Sequence, residues 1–131
     1  MKLRGGIAGY FQYVSGILAL SRIVKSQDVH TEKRTSTEGF LRGDVFFKDD
    51  SRLHFRELVT TDPSVQRVSY TYHYMRADET MIFRYDDADH FPKLPSAPHH
   101  KHIGENDVIA VNAPDLDSVL KEIESLIDSS R

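Results

Sequence analysis

Three histidines lie close together late in the chain, in the pentapeptide PHHKH from Pro98 to His102. Imidazole binds transition metals, transfers protons near neutral pH and, when protonated, contacts phosphate. In an extended segment His100 and His102 project to one side, while His99 projects to the other. The pentapeptide therefore predicts either a chemical site or a solvated, packed loop. Which interpretation holds depends on the secondary-structure elements that position these histidines.

Metal-independent cleavage of RNA is the main chemical interpretation. That reaction needs a base for the 2′-hydroxyl, a cation for the charged phosphorane and an acid for the leaving oxygen. His100 and His102 suit the two proton-transfer roles. Arg84 and Lys101 suit the phosphate, the first as a bidentate donor and the second as a point charge.

Other polar and aromatic residues of the central segments are secondary candidates for the same site. Three of them suit proton transfer, namely Glu57, His54 and His73. Tyr72 or Tyr85 is expected to stack on a base or to donate a proton.

A metal site is the alternative chemical interpretation of the histidines, with zinc or another divalent transition metal as the ion. Its ligands would be His90, His99, His100 and His102, with Glu105 or Asp107 as a further ligand. The spacing matches no established zinc motif, and the ammonium of Lys101 repels a cation. We therefore expect no metal cofactor and keep the metal site as the weaker alternative.

Two predicted hairpins lead up to the histidines. Strand-like runs with period-two alternation flank residues 48–51 and residues 76–79. Three prolines follow, so residues 88–106 are expected to form an extended loop that its apolar side chains pin against the sheet. Residues 29–36 read as an edge strand and residues 108–111 as a short strand.

The expected turn centres fix which side chains share a face. A first turn centred between Asp49 and Asp50 pairs Arg42 with Glu57, as a cross-strand ion pair. A second turn centred between Ala77 and Asp78 gives that hairpin one face of core side chains and one face of polar side chains. The core face would hold Val68, Tyr70, Tyr72, Tyr74, Met81, Phe83 and Tyr85, and the polar face Ser69, Thr71, His73, Arg84 and Asp86.

Helices are predicted near both ends of the chain. Residues 9–25 carry polar positions spaced by three and four around a wide apolar face, and Pro114 opens a second helix with one apolar stripe. The order of elements predicts a single α+β domain over residues 1–131. We expect an antiparallel sheet of about four to six strands, with both helices packed mainly on one face.

Composition limits the class of protein. The chain has no cysteine, which excludes disulfides, thiolate zinc sites and cysteine nucleophiles. Its formal charge of -3 argues against general affinity for nucleic acid but permits a local basic patch among the central arginines. The apolar N-terminal stretch is interrupted by Gln12 and Ser15, unlike a signal peptide or a membrane span. We expect a soluble, cytoplasmic protein.

Residues 84–105, RYDDADHFPKLPSAPHHKHIGE, resemble the signature of the TumE-like family of toxin–antitoxin proteins. The preceding LHFRELV and YTYHY runs are also similar, so the resemblance covers most of the chain after residue 38. Asp87 replaces an asparagine, and residues 89–91 replace Pro-His-His, which removes one histidine. The matching positions are Arg84, Tyr85, Asp86, His90, Pro92, Pro98, His99, His100, Lys101 and His102.

The resemblance implies a toxin-like component of a prokaryotic toxin–antitoxin module, with a helix-turn-helix antitoxin protein as its partner. By analogy with other small toxins, it implies endoribonuclease activity on RNA. Two alternatives stay open: a non-enzymatic interaction protein that blocks a target through its polar sheet face, and a metal-binding protein that uses the histidine loop. A homo-oligomer is compatible with each, and no membrane association is expected.

Overall fold

The computed structural model describes residues 5–88, 94–104 and 106–130. Its helices are α1 (Gly6–Leu20) and α2 (Leu116–Ser129). Its strands are β1 (Val24–Lys33), β2 (Glu38–Phe47), β3 (Arg52–Thr60), β4 (Gln66–Met75), β5 (Met81–Asp86), β6 (His100–Ile103) and β7 (Asp107–Ala110).

The strands form one antiparallel sheet in the order of the chain, from β1 to β7. The α+β class and the helices near both ends are confirmed. The first helix ends earlier than predicted, because Val24 already belongs to the edge strand β1. The predicted four to six strands are too few, since the sheet has seven. The segment expected to be a loop contains β6, which follows the prolines and pairs with β5.

One face of the sheet packs beneath both helices. The buried core combines apolar side chains of α1, α2 and alternate positions along β2 to β5. Its members on α1 are Ile7, Tyr10, Val14 and Leu18, and those on α2 are Leu116, Val119, Leu120, Ile123 and Ile127. Neither helix covers the opposite face, which we call the open face. In the part of the chain that the structure describes, the open face carries mostly polar side chains.

Glu57 is fully buried on the helix-covered face. The hydroxyl of Tyr10 donates to its carboxylate at 2.5 Å, and the hydroxyl of Tyr72 donates to its other oxygen. Burial raises the pKa of Glu57, while the two tyrosine hydrogen bonds act in the opposite direction. The carboxylate therefore links α1 to β3 and β4 from inside the core.

The predicted pairing of Arg42 with Glu57 is wrong. Phe46 lies opposite Arg52, whereas the expected turn would place it opposite Leu53, so the register of β2 against β3 differs from the prediction by one residue. Arg42 consequently lies opposite Arg56 on the open face. A shift of one residue exchanges the two faces of a strand, and this explains the error.

The second hairpin keeps the predicted faces but not the predicted register. Tyr72 lies opposite Tyr85 and His73 opposite Arg84, because an irregularity between Tyr74 and Met75 adds a residue near the turn. A shift of two residues preserves the alternation of faces. Val68 is the exception: it is 59% exposed, since the register between β3 and β4 shifts beside it.

Replacing Glu57 with glutamine should remove a pH dependence from the free energy of unfolding. The raised pKa makes the folded protein bind a proton more readily than the unfolded chain. The wild-type protein therefore loses stability as the pH rises from the ordinary carboxyl value of 4.5 towards the raised value. The glutamine of Glu57→Gln does not titrate, so this pH-dependent part of the free energy of unfolding should disappear.

Urea unfolding of both proteins at several pH values between about 4.5 and 8 measures the difference. Glu38→Gln is the matched control, because Glu38 is an exposed glutamate on β2. Parallel stability profiles for wild type and Glu57→Gln would contradict the expected titration.

Candidate active site

A row of basic side chains crosses the open face of the sheet. The register places His54 opposite His73, His73 opposite Arg84, and Arg84 opposite His102. One residue from each of β3, β4, β5 and β6 contributes, and directly opposed Cα atoms in such sheets are about 4.5–5.5 Å apart. We call these four residues the histidine–arginine row.

Asp86 organises the β5–β6 end of this row. Its carboxylate accepts a hydrogen bond from Arg84 Nε at 3.1 Å and another from the backbone N–H of Ala88 at 3.0 Å. The same carboxylate lies 2.8 Å from His100 Nε2 and 3.9 Å from His102 Nε2. The buried carboxylate of Asp86 thus orients Arg84 and lies close to the imidazoles of both His100 and His102.

His100 lies beneath the row and has 1% of its surface exposed. Its Nδ1 donates to the carbonyl oxygen of Pro98 at 2.9 Å, and its ring lies edge-on to that of His102 with 5.0 Å between centroids. The prediction that these two imidazoles share one side is confirmed. A ring this buried offers almost no surface to a ligand, and it contacts Asp86 and His102 instead.

His102 contacts the arginine of the row directly. Arg84 Nη2 lies 3.1 Å from His102 Nε2. Because a guanidinium can only donate, the lone pair of Nε2 accepts this hydrogen bond. The guanidinium thus joins His102 to Asp86 through two of its nitrogens.

His73 is half-buried on the other side of Arg84. Its pKa is lowered, first because partial burial disfavours the charged ring and second because Arg84 places a positive charge opposite it. His54 adds a smaller effect of the same sign. His54 itself lies 3.1 Å from Asp44 Oδ1 through its Nδ1.

Lys101 and Glu57 are not brought to the row. Lys101 points to the helices, where its Nζ donates to Glu122 of α2 at 2.6 Å and lies 4.9 Å from the centroid of the Tyr85 ring. The alternation of β6 explains this, since Lys101 stands between two residues of the open face. Glu57 occupies the core beneath α1.

The aromatic residues expected to stack on a base also lie under the helices. Tyr72 is fully buried, and the hydroxyl of Tyr85 donates to Glu122 at 2.6 Å. His99 turns to the same side and stacks on Tyr70, with 5.8 Å between ring centroids. Burial raises the pKa of that tyrosine to about 12.

Asp86, His100 and His102 offer one potential ligand atom each, and these atoms lie within 4.8 Å of one another. This group differs from the metal site proposed from the sequence. His99 faces the helices, while His90 and Glu105 lie outside the described residues. Asp86 belongs to the RYD motif, but sequence reasoning did not include it among the ligands.

The guanidinium of Arg84 contacts the group of residues that could hold a metal. It hydrogen-bonds both Asp86 and His102, which are two of the three potential ligands. A divalent ion would have to displace this positive charge. The arrangement therefore favours anion binding and proton transfer over metal binding.

The fold and this site define a small α+β protein with a candidate active site on the sheet face opposite the two helices. The model of the family described as Toxin TumE matches residues 15–128, and the chain belongs to that family. The resemblance of residues 84–105 to this family is thereby confirmed. The protein is a toxin component of a toxin–antitoxin system, which implies an antitoxin partner in general.

Comparison with curated proteins gave no match, and comparison with solved structures gave none. Among the described residues, no helix has the length and apolar character needed to cross a membrane.

An NMR titration of His73 should give a midpoint below the ordinary imidazole value of 6.5. Arg84→Gln removes the nearby positive charge, so the midpoint should rise. It should stay below 6.5 because burial, the larger cause, remains. Arg76→Gln, at an exposed position after β4, is the control and should leave the midpoint unchanged. A wild-type midpoint at or above 6.5 would refute this account of the row.

Proposed function

We propose that the protein is an endoribonuclease toxin that cleaves RNA without a metal on the open face of its sheet. The observation that supports this most directly is the position of Arg84 between two imidazoles, His73 on β4 and His102 on β6. Attack of a 2′-hydroxyl on the adjacent phosphate needs a base, an acid and a cation between them. The two imidazoles supply the base and the acid, and the guanidinium of Arg84 supplies the cation.

His73 is the base in this proposal. Its lowered pKa keeps the ring neutral at physiological pH, so it can accept the proton of the 2′-hydroxyl. The 2′-oxygen then bonds to phosphorus, and the bond from phosphorus to the 5′-oxygen of the next nucleotide breaks. The products are a 2′,3′-cyclic phosphate and a 5′-hydroxyl end.

His102 is the acid that protonates the departing 5′-oxygen. When Arg84 turns to the phosphate, Nε2 of His102 can take up a proton from solvent and face the carboxylate of Asp86, which lies 3.9 Å away. His100 holds Asp86 from below and is a positioning residue. The sequence-based pair of His100 and His102 is therefore revised to His73 and His102.

Arg84 binds the phosphate. Asp86 holds Nε, so the terminal nitrogens can turn from His102 to two phosphate oxygens when substrate arrives. Lys101 contributes by tying β6 to α2 rather than by touching substrate. A helix-turn-helix antitoxin, the partner that the sequence resemblance implies, would neutralise the toxin by covering the open face.

A transition-metal site is a second candidate, supported by the convergence of Asp86, His100 and His102 within 4.8 Å. Two imidazoles and a carboxylate suit zinc, with further positions left for water or substrate. In that case the metal and Arg84 exclude one another.

Replacing either His73 or His102 with alanine should lower kcat for a single-stranded RNA by roughly a hundredfold to ten-thousandfold. The measurement is gel-resolved cleavage, with the cyclic phosphate identified by mass spectrometry. His30→Ala is the matched control, because His30 is an exposed imidazole on the edge strand β1. Unchanged kcat in His73→Ala and His102→Ala would remove the basis of the mechanism.

Chelation distinguishes the two candidates. If Arg84 fills the site, dialysis against EDTA should leave cleavage intact, and added zinc should inhibit by displacing the guanidinium. Arg84→Ala should then bind zinc about tenfold more tightly than the wild type, because a competing charge of the same sign is gone. Zinc bound stoichiometrically by untagged protein, with activity lost on its removal, would favour the metal candidate instead.

A further inference from the structure

We propose that Phe40 forms a stacking subsite for an unpaired base of the RNA, beside the histidine–arginine row on the open face. This inference rests on the proposed function, because it assigns how the same substrate is held. It names the substrate class as RNA whose bases are unpaired near the cleaved bond.

Phe40 is an aromatic side chain on the open face. It lies on β2 opposite Leu58, between Gly39 and Leu41, both of which are buried on the helix-covered face. Its ring is half-buried, so part of its surface is available to a ligand. Tyr72 and Tyr85 do not offer such a surface, because they lie beneath the helices.

Two guanidinium groups lie over the ring of Phe40. The central carbon of Arg56 lies 5.6 Å from the ring centroid, and that of Arg34 lies 5.9 Å from it. Unpaired bases stack on aromatic rings and on guanidinium planes, and the same cations attract the phosphates on either side. The chain is acidic overall, yet this end of the open face combines an aromatic ring with positive charge.

A groove extends from Phe40 to Asp86, whose carboxylate holds Arg84 of the row. It has a volume of about 420 Å³, and its lining includes Phe40, Arg56, Leu58, Thr71 and Asp86. An adjoining groove of about 350 Å³ continues past Phe40 to Arg42. A strand of RNA lying along the two grooves would cross β1 to β5.

The register sets the distance between the subsite and the chemistry. Arg56 lies opposite Thr71, which lies opposite Asp86, so two strand spacings of about 4.8 Å separate Arg56 from Asp86. A base on Phe40 therefore belongs to a nucleotide close to the cleaved bond but not to the reacting ribose. Stacking there is tolerant of sequence, because every base offers a π-face.

The test is binding of a fluorescein-labelled, uncleavable 2′-O-methyl RNA of about 12 nucleotides, followed by anisotropy. Phe40→Leu should raise Kd about tenfold, which is within the range measured for loss of one stacked base. Phe40→Tyr keeps the ring and should stay within about twofold of wild type. Phe46→Leu is the matched control, on the same strand and face but beyond Asp44, and should bind like wild type.

A second measurement begins with the wild-type protein, so its first step does not depend on the folding of a variant. An abasic nucleotide is moved along the same oligonucleotide, and one position should weaken binding about as much as Phe40→Leu does. Combining that abasic position with Phe40→Leu should add little further loss, because the two changes remove the same contact.

The outcomes separate this inference from the proposed function. Equal Kd values for Phe40→Leu and Phe46→Leu, with cleavage by the wild type intact, would overturn the subsite alone. Binding that depends on Phe40, in a protein that leaves natural RNA uncleaved, would support the subsite and overturn the ribonuclease proposal. Failure of the wild type to bind the RNA would overturn both.

Discussion

The register of β4, β5 and β6 is the constraint on which the candidate site depends. A slip of one residue between β5 and β6 would send His102 to the helix-covered face and bring Lys101 to the open one. Asp86 holds the observed register on the open face through Arg84 and His100. On the other face Glu122 of α2 contacts β5 and β6 together, so both sides of the sheet enforce the same pairing.

One face of the sheet packs against the helices and the other carries the candidate site. The side chains of the PHHKH segment are divided between these two faces. His99 and Lys101 point towards the helices, where one stacks on a tyrosine and the other forms an ion pair with α2. His100 and His102 point to the open face. Substitution of the whole segment would thus mix losses of packing with losses of chemistry. Only single variants on known faces can distinguish them.

Alternation could be read from the sequence, but register could not. YTYHY and the spacing of His100 and His102 predicted the correct faces, because period two survives any shift by an even number of residues. A one-residue difference in register between β2 and β3 placed Glu57 and Arg42, which were predicted to pair, on opposite faces. The run LHFRELV did contain a signal for the buried acid, since Glu57 is in phase with Leu53 and Phe55. β6 was missed because HKHI has little strand propensity and forms through its pairing with β5.

We propose above that this toxin cuts RNA on its open face. The most direct test is inducible expression in a bacterial host, with and without the antitoxin, followed by sequencing of RNA 5′ ends. If the toxin is a ribonuclease, expression should cause growth arrest with discrete new 5′-hydroxyl ends. These ends should disappear when the antitoxin is present and when His102→Ala replaces the wild type. Arrest with intact RNA would contradict this proposal and would indicate a toxin that blocks its target by binding.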